Sequence, residues 1–318
     1  MAGYIVRRLI SAIPVLFLVT LISFFIMKLV PGDPATVIGG LQATPEEIEH
    51  IRRQLGLDKA LHVQLISWYG QLLQGNLGDS ILLGRSVAQA IIERLPVTLS
   101  ISFYALVLTL PIAIASGILA ALRQNSWIDQ LFMTIALIGV SLPNFWLGLM
   151  LIILFAVQLQ WLPSGGYVPF TEDFGAWLAA ATLPAISLAM LQMGLLARIT
   201  RSTMLEVLRQ DYIRTAQAKG MPPWIVVGKH AFKNVMIPVI TVIGIIFSLL
   251  LGGSVVIETI YSIPGVGRLM GSAILRRDYP VIQGGMLFIA GMLVFINLVV
   301  DVLYAYFDPR VRYERDGH

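Results

Sequence analysis

The sequence predicts an all-α polytopic membrane protein, on three observations. Of its 318 residues 57% are hydrophobic and only 13% charged, and a mean hydropathy of +0.81 is far above what a soluble core needs. The apolar residues gather in six runs, 9–30, 98–122, 131–157, 177–196, 235–257 and 283–306, each long enough for the roughly 20 residues that cross a bilayer. The basic residues collect between those runs.

The first run follows Arg7 and Arg8, as a secretion signal would. It exceeds the apolar stretch of about 7–15 residues in such signals and lacks a small-residue cleavage site, so it reads as a retained helix. With the N-terminus inside, the short inner connections carry thirteen Lys and Arg and the short outer ones three. The positive-inside rule then makes both termini cytoplasmic. The net charge of +4 and pI near 9.4 reflect that bias and give no reason to invoke nucleic acid. Absence of cysteine excludes disulfides, thiolate metal sites and cysteine nucleophiles.

Residues 31–97 form a long external insert with structure of its own. Thr44-Pro45-Glu46-Glu47 is a helix start, Thr44 capping, Pro45 first in the helix and Glu47 closing a capping box. Ile48, Ile51 and Leu55 share the face that follows, and Gly56 ends it. Leu65, Trp68, Tyr69 and Leu72 share a side of a second amphipathic piece over 61–73. These faces need cover, so the insert is expected on the outer membrane surface or against a partner.

Pro14, Pro111, Pro143, Pro184 and Pro238 fall inside runs. Each frees a carbonyl that neighbours or water must satisfy, which favours bent helices around a cavity; proline is also simply frequent in membrane helices. Ser141, Pro143 and Asn144 combine a kink with polar groups and are the best pathway-lining candidates, with Gln192 also suited. Ala113, Gly117 and Ala121, and likewise Gly244, Ser248 and Gly252, are spaced for close helix packing.

Ionisable groups in the runs are few: Lys28 near an end, Glu258 at a boundary, and Asp301, which shares a face with Asn297. No relay of carboxylates or histidines appears, which argues against ion coupling. No catalytic constellation, phosphate loop or metal-ligand cluster is found, so no enzyme activity, cofactor or metal is expected. Residues 264–271 have the wrong spacing for a dinucleotide loop and read as an external hairpin or re-entrant turn.

Between the fourth and fifth runs lies a polar island, 198–234, with Arg198, Arg201, Arg209, Arg214, Lys219, Lys229 and Lys233. Residues 199–219 read as one helix with Leu205, Leu208, Tyr212 and Ala216 on a side. Gly220 ends it in a left-handed cap, and Pro223 opens a short second helix at Trp224. Such a helix–turn–helix suits docking into a protein groove; juxtamembrane basic residues also suit anionic lipid. On the residues alone the two readings stand level.

Arg214-Thr-Ala-Gln-Ala-Lys-Gly220 resembles the cytoplasmic E-A-A-x-x-x-G loop of ATP-binding-cassette importer permeases, in the form typical of the oligopeptide, dipeptide and nickel branch. Further matches run along the chain: Pro31-Gly-Asp-Pro34, Leu55-Gly-Leu-Asp58, Gly78-Asp-Ser80, Ser141-Leu-Pro-Asn-Phe-Trp-Leu-Gly148, Asp211-Tyr212, Gly252-Gly-Ser254, Ile263-Pro-Gly-Val-Gly-Arg268, Arg277-Asp-Tyr-Pro280 and Asn297-Leu-Val-Val-Asp301. Arg214 and Thr215 stand where the wider superfamily has glutamate and alanine, so no salt bridge is carried over from that glutamate.

The resemblance implies a permease subunit in the bacterial inner membrane that works by alternating access. Its implied partners are a second homologous permease, two cytoplasmic ATP-binding subunits that hydrolyse the ATP, and an external substrate-binding protein. It implies an ATPase-coupling loop comprising Asp211, Tyr212, Arg214, Thr215, Ala216, Ala218, Lys219 and Gly220, the small residues allowing close approach. It implies peptide cargo, with nickel, glutathione or opines as family alternatives. An autonomous channel or facilitator is the alternative that the kinked, nearly charge-free spans leave open. The expected division is residues 1–30 (N-terminus and first span), 31–97 (insert) and 98–318 (five-helix core with the loop 198–234).

Overall fold

The computed structural model describes residues 2–29, 33–40, 43–54, 56–80 and 82–307. The expectations placed on Pro31, Gly32, Leu55, Arg310, Arg312 and Arg315, and on the side chains of Arg7, Lys28 and Asp301, lie outside what it describes. Among the described residues the one β pairing is an isolated bridge, Asp79 to Ser86; other regular structure is helical. The chain divides into two compact units, Met1–Pro96 with Gly265–Phe295, and Val97–Pro264 with Ile296–His318.

The first unit holds α1 (Ala2–Leu29), α2 (Pro34–Gly39), α3 (Pro45–Gln54), α4 (Leu61–Leu73), the start of α5 (Val87–Leu122), α12 (Val266–Arg276) and most of α13 (Tyr279–Phe307). The capping box of α3 forms as its sequence requires. The Glu47 amide donates to Thr44 Oγ1 at 3.3 Å, and the Thr44 amide donates to Glu47 Oε2 at 2.8 Å. Asp33 caps α2 by accepting from the Ala35 amide at 3.1 Å and also pairs with Arg52, tying α2 to α3. The aromatic side of α4 is covered by this chain's own α1: Tyr69 stacks on Phe17 with centroids 5.9 Å apart, Trp68 lies 5.8 Å from Phe24, and the Tyr69 and Thr20 hydroxyls share a hydrogen bond of 2.7 Å.

Residues 264–271 correct the sequence reading, being the start of a helix and no hairpin. Gly265 is the N-cap of α12, which buries Val266, Leu269, Met270 and Ala273 on one face. That face packs with Val87, Ala90 and Ile91 of α5 and Val281 and Ile282 of α13; the 3.6-residue period, read as a glycine-rich turn, was an amphipathic stripe. A Cβ at Gly285 would collide with Met270 Sδ, so this crossing requires glycine. Buried Asp278 accepts from Ser80 Oγ at 2.5 Å and from the Leu82 amide at 3.3 Å, fastening the insert to the α12–α13 corner.

The second unit holds the rest of α5, α6 (Trp127–Ser141), α7 (Asn144–Leu151) running on as a π-helical Ile152–Gln158, α8 (Phe174–Leu208), α9 (Asp211–Ala218), α10 (Pro223–Ile225) running on as a π-helical Val226–Ala231, and α11 (Phe232–Ile260). α8 is central: its buried residues extend from Ala180 to Met204. Its neighbours approach as closely as backbone allows. A Cβ on Gly194 would strike the Ala136 carbonyl of α6, one on Gly139 would sit 3.0 Å from Met190 O, and one on Gly117 of α5 would sit 2.6 Å from Ala197 O. The stripe Ala113, Gly117 and Ala121 therefore packs as expected, and Gly244 meets Val300 likewise. Gly252 meets nothing within 4 Å.

Among the described residues four helices are long and apolar enough to cross a membrane, Val87–Leu122, Phe174–Leu208, Pro238–Ile260 and Tyr279–Val300. α6 and α7 make a fifth candidate only as a pair bent by 102°. The expected run 131–157 is thus no continuous helix. Pro143 forces Leu142 into extended backbone (φ −84, ψ 128), as residues before proline prefer. α1 is apolar over the shorter Ile10–Phe25.

Hydrogen bonds from Thr44 hold the Glu47 carboxyl below its ordinary pKa. Its contribution to α3 is therefore fully present above the unfolded value, about 4.3, and is lost as pH falls through the lower folded one. The protection of the first-turn amides of α3, taken as their exchange relative to the intrinsic rate at each pH, should fall as pH is lowered through that folded value. The T44A variant should exchange faster at all pH, for about 1 kcal/mol of lost capping.

Candidate functional site

The polar island grows directly out of α8. The expected single helix over 199–219 is instead two: α8 continues to Leu208, Gln210 is extended (φ −71, ψ 147), and α9 restarts at Asp211. The break re-aims the second piece so that Ile213 (0% exposed) and Ala216 (6%) turn inward beside Met204 and Val226, leaving Tyr212 outside. Gly220 closes α9 at φ +75 with open space around its absent Cβ, so backbone conformation rather than crowding requires glycine there. Pro223 occupies the first turn of α10 as expected.

The other residues of the segment face solvent. The Arg214 guanidinium lies 3.6 Å from Asp211, both exposed, a pairing of small worth in water. Thr215 donates its hydroxyl to the Asp211 carbonyl at 2.8 Å. Asn234 donates to the Tyr212 hydroxyl at 2.8 Å, tying α9 back to α11. Ala218, Lys219 and Gly220 are exposed. Beyond them two large apolar side chains stand in the open, Met221 at 38% and Trp224 at 74%; sequence reading placed Trp224 at a helix start and gave it no task.

A second feature escaped the sequence altogether. Asp129, on the first turn of α6, accepts from Arg201 Nε at 2.6 Å and from Nη2 at 2.7 Å, and its carboxylate is only 6% exposed. The Asn125 amide donates to the same carboxylate at 3.0 Å, and Ser126 caps the helix. This bidentate pair locks the α6 end to the root of the island. A lone acid two residues ahead of an apolar run looks like an interface residue, and seventy-two residues of separation hide its partner.

The pathway candidates disperse. Ser141 is exposed, and its hydroxyl donates to Leu137 O at 2.8 Å. Pro143 caps α7 from the exposed bend. Asn144 stands by α11, its Nδ2 3.9 Å from where a Gly253 Cβ would lie, and Leu188 of α8 reaches the same glycine at 3.6 Å. Gln192, one turn along α8 from Leu188, is 3% exposed with its Oε1 unpaired among the described residues. Near them buried Tyr261 donates to the Gly148 carbonyl at 3.1 Å and shares a 3.1 Å hydrogen bond with Ser187, joining α11, α7 and α8. Glu258, near the end of α11, is buried and accepts from Thr98 at 2.6 Å.

These features define a class: a helical, multi-pass membrane protein whose core helices are interrupted, with a short two-helix segment held on the end of a central helix. Residues 113–313 match the family described as the binding-protein-dependent transport system inner membrane component, and residues 1–102 match that family's N-terminal part. The chain belongs to this family and is a permease subunit of an ATP-binding-cassette importer.

A peptide transport system permease protein of Brucella abortus (strain 2308) is 52% identical over 99% of this chain and all of its own length. The dipeptide transport system permease DppB of Alkalihalophilus pseudofirmus is 44% identical over 98% of this chain and all of its own. The glutathione transport system permease GsiC of Escherichia coli O6:H1 is 42% identical over 99% and 100%. Among solved structures, the inward-facing methionine transporter MetNI superposes at TM-score 0.59 with 17% identity, covering 70% of this chain and 97% of that one; that likeness speaks for the fold.

Breaking the α6–α8 clamp should be costly, since an uncompensated charge would be left largely buried. D129N should lower the stability of the solubilised chain by on the order of 3 kcal/mol in thermal unfolding followed by helical circular dichroism. D211N, whose pairing with Arg214 is exposed, should leave it unchanged. Equal effects would show that burial does not set the worth of the clamp.

Proposed function

We propose that this chain spans the bacterial inner membrane six times with both termini cytoplasmic, and that residues 198–234 are its contact with ATP-hydrolysing subunits. In that topology α1 and the bent α6–α7 pair each count as one span. The chain comprises residues 1–30, an external insert 31–97 and a five-helix core 98–318. The basic bias of the inner connections supports the orientation, and interfacial tryptophans flank the bent pair, Trp127 at 71% and Trp161 at 69% exposure.

The observation that carries the coupling role is the two-sided build of α9 and α10. Ile213 and Ala216 anchor the segment inward, while Thr215, Ala218, Lys219, Met221 and Trp224 face out around the left-handed Gly220. Aromatic side chains exposed beside small residues are the composition of a docking knob. Tyr212, bonded to Asn234, ties the knob back to α11, and Asp211 and Arg214 flank it. The partners are two ATP-binding subunits, a second homologous permease and an external binding protein, and cargo crosses by alternating access. The ATPases drive this only by binding the two states unequally.

The cargo is a peptide, in keeping with relatives named for peptide, dipeptide and glutathione transport. Asn144 and Gln192 supply scattered amides suited to a sequence-tolerant passage, with Ser141 and Pro143 at the bend just before Asn144; nickel and opines are the family alternatives. G220V should leave the chain in the membrane yet reduce uptake per ATP hydrolysed at least tenfold, because a β-branched residue resists positive φ. W224A should weaken ATPase association in co-purification. Wild-type coupling in G220V, or downhill peptide flux by the isolated chain in liposomes, would overturn the assignment.

A further inference from the structure

Between α6 and α8, beside the Asp129–Arg201 clamp, lies an open cleft of about 400 Å³ lined by Met133, Leu195, Arg198, Ile199, Arg201 and Ser202. Its lining is of two kinds. Met133, Leu195 and Ile199 are apolar. The rest are donors: the exposed Arg198, which makes no ion pair among the described residues, the Ser202 hydroxyl, and Arg201 Nη1, left over when Nε and Nη2 engage Asp129. Because Asp129 offsets the Arg201 charge, the net positive charge of the cleft rests on Arg198.

The cleft also sits at a definite depth. Trp127, 71% exposed, opens α6 two residues before Asp129, and exposed tryptophans at the ends of membrane helices settle at the headgroup level. Leu195 follows the apolar stretch of α8, and Arg198 to Ser202 begin its polar continuation. Apolar lining and donors therefore straddle the boundary between hydrocarbon and headgroups.

We propose that this cleft binds one anionic phospholipid, with its phosphate on Arg198, Arg201 Nη1 and Ser202 and an acyl chain along Met133, Leu195 and Ile199. Guanidinium groups take phosphate through paired charge-assisted hydrogen bonds, and basic pockets between membrane helices select anionic headgroups. A soluble anion would need only the donors. The combination of donors with apolar lining at the interface commits the site to a lipid. The proposal rests on α6 and α8 lying in a membrane; its donors stand at the α8 root of the segment assigned to the ATPase contact, and α9 and α10 contribute no residue to the cleft.

The test titrates the delipidated full-length chain in detergent with phosphatidylglycerol, phosphatidylcholine or inorganic phosphate, counting retained molecules by native mass spectrometry. One phosphatidylglycerol per chain should be retained, and phosphatidylcholine more weakly. R198Q should weaken phosphatidylglycerol about fivefold, the equivalent of ~1 kcal/mol per interfacial cation. M133W, which fills the apolar lining and leaves both arginines, should weaken it as well. K233Q, an exposed cation outside the cleft, should not.

Displacement of the lipid by equimolar phosphate would make this a free-anion site and overturn the proposal. Unchanged binding in both R198Q and M133W, or equal weakening by K233Q, would overturn it too, the latter by showing diffuse charge attraction. Helical circular dichroism confirms folding of each variant, and because the two cleft variants lie on different helices, misfolding of one leaves the other decisive.

Discussion

The second unit depends on how closely other backbones can approach α8. In hydrocarbon no hydrophobic force drives one apolar helix onto another, so association comes from van der Waals contact and internal hydrogen bonds. Gly194, Gly139 and Gly117 bring the α6 and α5 backbones against α8 to distances at which any Cβ would collide with a carbonyl or a side chain. That closeness brings Asp129 within reach of Arg201 and lets Tyr261 bond Gly148 and Ser187 together. Larger residues at the three glycines would move the helices apart and dissolve both polar contacts.

The polar contacts follow one logic in both units. Each pins a helix end or a turn rather than the middle of an apolar face: Asp129 at the start of α6, Asp278 between α12 and α13, Glu258 near the end of α11. At these positions backbone groups are available as further donors, as the Asn125 and Leu82 amides show. A buried carboxylate with several donors avoids much of the desolvation cost that an isolated one suffers. The polar groups thus set where helices begin and turn, and small residues set how near they lie.

Much of this was legible in local chemistry. The capping box at Thr44, the left-handed Gly220, the helix opening at Pro223 and the break at Pro143 each follow from two to four adjacent residues whose backbone preferences are strong. What depended on distant partners was not legible. The Asp129–Arg201 and Ser80–Asp278 pairs join residues 72 and 198 positions apart, and nothing near Asp129 or Asp278 announces them. The break at Gln210 was missed because no glycine or proline marks it; burial of Ile213 requires the turn. Residues 264–271 were misread because their glycines outweighed an amphipathic period of four apolar residues.

The bend at Leu142 and Pro143 has a consequence for how the chain enters a membrane. α6 has 15 residues, and α7 with its π extension has 8 and 7, so each arm is about 22 Å long. A hydrocarbon layer of roughly 30 Å exceeds either arm. Neither can be released into lipid as a finished span, and the backbone at the bend stays without helical partners until protein covers it. The stretch that supplies the cover, α8, is made only after the arms. During synthesis the bent pair must wait, unsatisfied, for a later helix to arrive, which makes α8 the templating step of biogenesis as well as the centre of the finished fold.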